Sequence, residues 1–105
     1  MSRVRELNDA FRTTFEGGRV LITAGVGALS PILACEALQK VRTFNDFTPD
    51  NDPYGEHDFG GFELAGRKFL WKIDYYDKSM TLGAADPADP ERTQRVLTIM
   101  LAEDY

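Results

Sequence analysis

Between Asp50 and Asp58 the chain sets four carboxylates, Asp50, Asp52, Glu56 and Asp58, around its single histidine, His57. Carboxylates at relative positions one, three and nine, with Gly55 at six, supply the oxygen donors and sharp turn of a calcium loop. The match stops there: position five is Tyr54, and position twelve, which needs a bidentate glutamate, is Gly61. A looser divalent-cation site would draw on Asp50, Asp52, Glu56 and His57 and, with Asp74, support hydrolysis through a metal-bound water. His57 between Glu56 and Asp58 also has the make-up of a general acid–base group. Neighbours on an extended chain point to opposite faces, however, so Asp58 is not its partner by adjacency alone. The residues favour a plainer reading, a solvated acidic loop whose aspartates cap turns while Gly55 supplies a positive φ. A Cys35–His57 dyad would require a helix-face thiol to reach this loop. Ser2, Ser30 and Ser79 sit in no nucleophile elbow, and the chain has no phosphate loop or zinc spacing.

Charge narrows the partner. Net charge is −5, unevenly spread: residues 1–42 carry six Arg/Lys and four Asp/Glu, residues 43–105 six and thirteen. From Arg42 to Arg67 there are six carboxylates and no lysine or arginine between them. Nucleic-acid binding depends on cations that neutralise phosphates, so this surface excludes a direct DNA or RNA reader. Lys68 and Lys72 are too few for a base-stacking platform. A protein with a basic surface is the expected partner. Tyrosines beside carboxylates make interface anchors, which gives Asp50, Asp52, Tyr54, Glu56, His57, Asp58 and Tyr76 as candidate partner-binding residues. No catalytic residue is assigned, and no cofactor is expected unless the loop takes a divalent cation.

The elements that hold this loop can be read around it. Phe69, Trp71, Ile73 and Tyr75 alternate with Lys68, Lys72 and Asp74, the period of a strand with one buried face. With Ala65-Gly66 as a two-residue turn, Leu64 faces Arg67, Glu63 faces Lys68, Phe62 faces Phe69 and Gly60 leaves room beneath Trp71. The cross-strand pairs contribute roughly 0.2–1 kcal/mol each, and a one-residue slip would bury lysines. Val4, Leu7, Phe11 and Phe15 predict a first helix ending at Gly17-Gly18. Arg19–Ala24 reads as a strand apolar on both faces and hence inside the sheet, and Gly25-Val-Gly27 as a turn. Ser30-Pro31 opens a helix whose stripe is Leu33, Ala37, Val41 and Phe44. Asp77-Lys-Ser turns into a short strand, Met80–Gly83, with Leu82 opposite Tyr75. Asp89-Pro90 is read as the start of a last helix that buries Thr93, Val96, Leu97, Met100 and Leu101.

The expected order is therefore α-β-α-β-β-β-α, an α+β fold with a mainly antiparallel sheet of about four strands and helices on one face. Residues 1–105 form one domain. The lone Cys35 suits a reducing cytoplasm, the charged N-terminus is no signal peptide, and the apolar run Val20–Leu38 is too interrupted to span a membrane. A homodimer through an exposed edge strand stays open.

The block Phe44-Asn-Asp-Phe-Thr-Pro-Asp-Asn-Asp-Pro-Tyr-Gly-Glu-His-Asp-Phe-Gly60 resembles a small bacterial domain-of-unknown-function family, number 3768 in that series. So do Arg5–Arg12, Phe69–Asp77 and Asp86–Ala102. The resemblance spans essentially the whole chain. It implies a setting on plasmids and other mobile elements, near accessory and anti-restriction genes, and it implies no catalytic residue. Two readings follow. One is a non-enzymatic acidic module that docks on a host nucleic-acid-handling defence enzyme of restriction or CRISPR type. The other is a metal-dependent hydrolase or metal-binding protein that uses the Asp50–Asp58 loop.

Overall fold

In the computed structural model, which describes residues 2–105, the hairpin forms as its alternation requires. Strand β2 (Phe59–Leu64) pairs antiparallel with β3 (Arg67–Tyr76); the labels follow chain order, β1 being Gly18–Ile22 and β4 Gln94–Leu101. Leu64 opposes Arg67, Glu63 opposes Lys68, Phe62 opposes Phe69 and Gly60 opposes Trp71. Ala65 and Gly66 both have positive φ, 54° and 76°, the backbone of a type I′ turn that matches strand twist. The Phe62 and Phe69 rings stack at 5.2 Å. Glu63 and Lys68 form no ion pair, and Arg67 instead reaches Glu103.

The sheet order is β1-β4-β3-β2, with β3–β4 antiparallel and β1–β4 parallel. The sheet is therefore mixed, not antiparallel, and the expected last helix is a central strand. Residues Arg95–Leu101 are buried at every position but Thr98. Such a run has two buried faces and belongs in mid-sheet. Asp89 does cap as its type predicts, its Oδ1 accepting from Glu91 N at 3.0 Å, but what it closes is a turn. β1, expected inside the sheet, is an edge strand with Leu21 51 % and Ile22 45 % exposed. The expected strand Met80–Gly83 reduces to one bridge, Tyr76 with Gly83, a register that sets Ala84 rather than the expected Leu82 against Tyr75, and Leu82 is exposed. Asp77 organises that turn, its Oδ1 accepting from Ser79 Oγ and Thr81 N.

Helix α1 (Arg3–Thr14) starts at Ser2, whose Oγ accepts from Arg5 N. It ends earlier than expected, because Phe15 itself takes the left-handed cap at φ 60° and donates its N–H to Phe11 O. Gly25-Val-Gly27 is one helical turn, α2 (Ala24–Gly27), which buries Val26. α3 (Pro31–Arg42) opens on the predicted Ser30 cap. Phe11, Val26, Ala37 and Val41 from these helices pack on Phe69, Trp71, Ile73, Leu97, Ile99 and Leu101. The helices thus cover one face of the sheet, and Phe44 and Phe47, past α3, meet Trp71 edge-on. Among the described residues no helix is long and apolar enough to cross a membrane.

Candidate functional site

The loop from Phe44 to Asp58 is built from the inside. Thr48 and Asn51 exchange side-chain and backbone hydrogen bonds, Asn51 Nδ2 also donates to Asp46 O, and Asp52 N donates to Thr48 O. Asp52 turns inward, its side chain 6 % exposed, and Oδ1 accepts from Glu56 N at 3.0 Å and His57 N at 3.2 Å. This aspartate is a turn cap, as its residue type allows. Gly55 has the expected positive φ of 65°, and His57 is also left-handed at 54°. A histidine pays for that conformation through what its ring then meets.

His57 stacks on Phe47 at 3.7 Å with the planes 2° apart. Its Nδ1 lies 2.9 Å from Asp9 Oδ1 on α1, while Nε2 stands 3.6 Å from Asp52 Oδ2, beyond hydrogen-bond length. Nδ1 is thus placed to donate a hydrogen bond to Asp9. Asp9 in turn meets Arg12, whose guanidinium is buried. Arg12 donates to Val41 O at 3.0 Å and Phe44 O at 2.8 Å and lies over the Phe47 and Trp71 rings. It thereby neutralises the carbonyl end of α3 and fixes where the loop leaves the helix. The chain Asp52–His57–Asp9–Arg12 ties the acidic loop to two helices.

A second chain runs beside it. Asn8, fully buried, donates from Nδ2 to Glu56 O and Tyr75 Oη and accepts from Arg95 Nε. Tyr75 donates to Asp58 Oδ2 at 3.1 Å. Burial pushes the Tyr75 hydroxyl well above the ordinary phenol range, reinforced by Asp58 and Glu56 against the Asn8 hydrogen bond. It stays a protonated donor. Glu56 is also raised, first by burial and then by Asp58 and Asp52.

The predicted residues therefore divide. Asp52, His57 and Asp58 are spent on internal contacts, and Glu56 is partly buried. Asp50 and Tyr54 stand on the surface, Tyr54 85 % exposed, with Asp46 also exposed. Tyr76 and Asp74 lie on the sheet face opposite the helices, where Asp74 pairs with Lys72 at 2.9 Å, so Asp74 does not join the loop carboxylates. That hydrogen bond raises the Lys72 pKa. Cys35 is exposed on α3, while both ring nitrogens of His57 face carboxylates. Among the described residues no three His, Cys, Asp or Glu side chains group as metal ligands.

Asn8, Asp9, Arg12, Tyr75 and Arg95 complete the site; the sequence places Tyr75 on the buried face of its strand but marks none of the five as a site residue. A signal existed: Val4, Asn8, Phe11 and Phe15 are spaced 4, 3 and 4, as good a helical face as the one through Leu7. A polar side chain on a buried stripe marks a satisfied internal network.

The family model described as "Protein of unknown function (DUF3768)" matches residues 22–104. No curated protein and no solved structure matches the chain.

Proposed function

This chain belongs to the DUF3768 family of proteins of unknown function, and we propose on that premise that it is a non-enzymatic binding module whose acidic loop docks on a basic protein surface. The observation that carries the reading is the loop's division of labour. Its inner carboxylate, Asp52, is buried as a cap, while Tyr54, at 85 % exposure, stands at the tip between exposed Asp50 and the partly buried Glu56. A tip held by its own hydrogen bonds loses little entropy on binding. An aromatic anchor ringed by like charge suits a cationic partner. A nucleic-acid-handling enzyme offers such a surface in its phosphate-binding groove, and inhibition of a defence nuclease is the activity to assay.

A photo-crosslinking residue at Tyr54 tests this in cells. It should trap a protein with a basic surface, whereas the same residue at Leu82, also exposed but outside the loop, should not. The isolated complex should weaken at least tenfold between about 50 and 500 mM salt, and again on Asp46→Asn, Asp50→Asn and Tyr54→Ala together. Equal adducts from both positions, or affinity indifferent to salt and to the triple substitution, would sink the reading.

A further inference from the structure

Arg95 is a buried cation without an anion. It is 3 % exposed, and its guanidinium meets only neutral acceptors, Asn8 Oδ1 at 2.8 Å and the Pro87 carbonyl, with the Tyr75 ring 5.2 Å away. Among the described residues no carboxylate lies within ion-pair distance of it. Desolvation dominates its environment and lowers its pKa, with the Arg3 charge adding to this against Tyr75. A buried charge left unpaired is costly, and proteins pair or hydrogen-bond such groups. Arg95 Nη1 makes no hydrogen bond, yet the fully buried polar atoms left unsatisfied among the described residues are Arg12 Nε and Trp71 Nε1. Nη1 therefore keeps some access to solvent.

Arg95 also lines a cleft of about 150 Å³. Its other walls are mainly apolar, with Leu7, Ala10 and Phe11 of α1 facing Pro90 and Thr93, and Glu16 exposed at the rim. The Thr93 hydroxyl is already committed to Asp86 O. One guanidinium among apolar walls suits a single negative charge with a hydrocarbon tail. A phosphate dianion would need several donors. A cavity of roughly 150 Å³ takes a benzene-sized molecule, about six non-hydrogen atoms.

We propose that this cleft binds a small aliphatic monocarboxylate, its carboxylate on Arg95 and its tail between Phe11 and Pro90. The site is independent of the acidic loop and does not rest on the docking reading. The carboxylate has two sources, a free short-chain acid or the C-terminus of a polypeptide that ends in an aliphatic residue.

Amide-resolved NMR titration of the full chain decides it, with butyrate, its neutral isostere butyramide and inorganic phosphate as probes. Butyrate should give saturable shifts at Leu7, Phe11, Gly17 and Thr93, with a dissociation constant on the order of 1 mM, and butyramide and phosphate should bind at least tenfold more weakly. Arg95→Gln should abolish butyrate binding. Because that variant also disturbs Asn8, Ala10→Phe is the second arm: it leaves the charge, fills the cleft and should weaken binding at least tenfold while the spectrum stays folded. A tetrapeptide ending in a free valine that binds more tightly than butyrate, and loses this on amidation, identifies the polypeptide source; the reverse order identifies the free acid. No saturable shift by about 50 mM butyrate, equal binding of butyramide, or full binding by folded Ala10→Phe overturns the proposal.

Discussion

Gly60 shows how a single position is dictated by its neighbours. A Cβ there would lie 2.5 Å from Trp71 Nε1 and 2.8 Å from Phe44 Cζ, and both rings are wedged in the aromatic cluster with Phe47. Neither can retreat without opening the site in which Phe47 supports His57 and Arg12. Gly60→Ala should cost about 1–3 kcal/mol through overpacking and lower the melting temperature by roughly 5–15 °C. Gly27→Ala is the control, since its nearest neighbour is Ile22 Cδ1 at 3.7 Å, and as a helical position it should melt no lower than the parent and up to about 5 °C higher. Equal melting of the two variants would remove the steric account. Gly60 was legible in the sequence because the hairpin register placed it opposite Trp71 by counting. Asp9 was not legible, because its contact to His57 spans 48 residues, and no local periodicity encodes a partner at that distance.

At the level of elements, the same apolar residues were read correctly as buried and wrongly as helical. Thr93, Val96, Leu97, Met100 and Leu101 are all buried, and their spacing also fits a helix face, with Asp89-Pro90 supplying a helix-start signal. Periodicity cannot separate a buried helix from a strand buried on both faces. The deciding features were Val96, Thr98 and Ile99, β-branched residues that favour a pleated surface. Acids at the chain's end, Glu103 and Asp104, also oppose the dipole of a helix ending there. Pairing on both sides should make β4 the slowest-exchanging element. By hydrogen exchange, amides from Val96 to Met100 should open only with global unfolding, while those of edge strand β1 that point away from β4 exchange at least about 100-fold faster. Protection concentrated in β2 and β3, with β4 exchanging like a terminus, would contradict this sheet order.

Across the whole molecule, the acid-rich segment between Arg42 and Arg67 stores self-repulsion that folding concentrates. Glu56 registers it: burial comes first, then the charges of Asp58 and Asp52, and all three raise its pKa. A carboxyl with a raised folded pKa binds its proton more tightly when folded, so stability falls as pH climbs from the unfolded value near 4.5 through the folded one. Below that window both states are protonated and the group is neutral to stability; above it the folded state carries the full penalty of a charged Glu56. Glu56→Gln removes the penalty without removing volume. At pH 7 it should raise the melting temperature by about 2 °C, a figure kept small because solvent screens a partly exposed group. At pH 3.5 the difference should vanish. Raising the salt at pH 7 should shrink the same difference, because the repulsion from Asp58 and Asp52 is screened while the burial contribution is not. An advantage for Gln that persisted unchanged at pH 3.5 would mean that side-chain packing, rather than charge, distinguishes the variants. An advantage at pH 7 unaffected by salt would assign the effect to desolvation alone, leaving the loop's crowded carboxylates without a measurable strain to release on a basic partner.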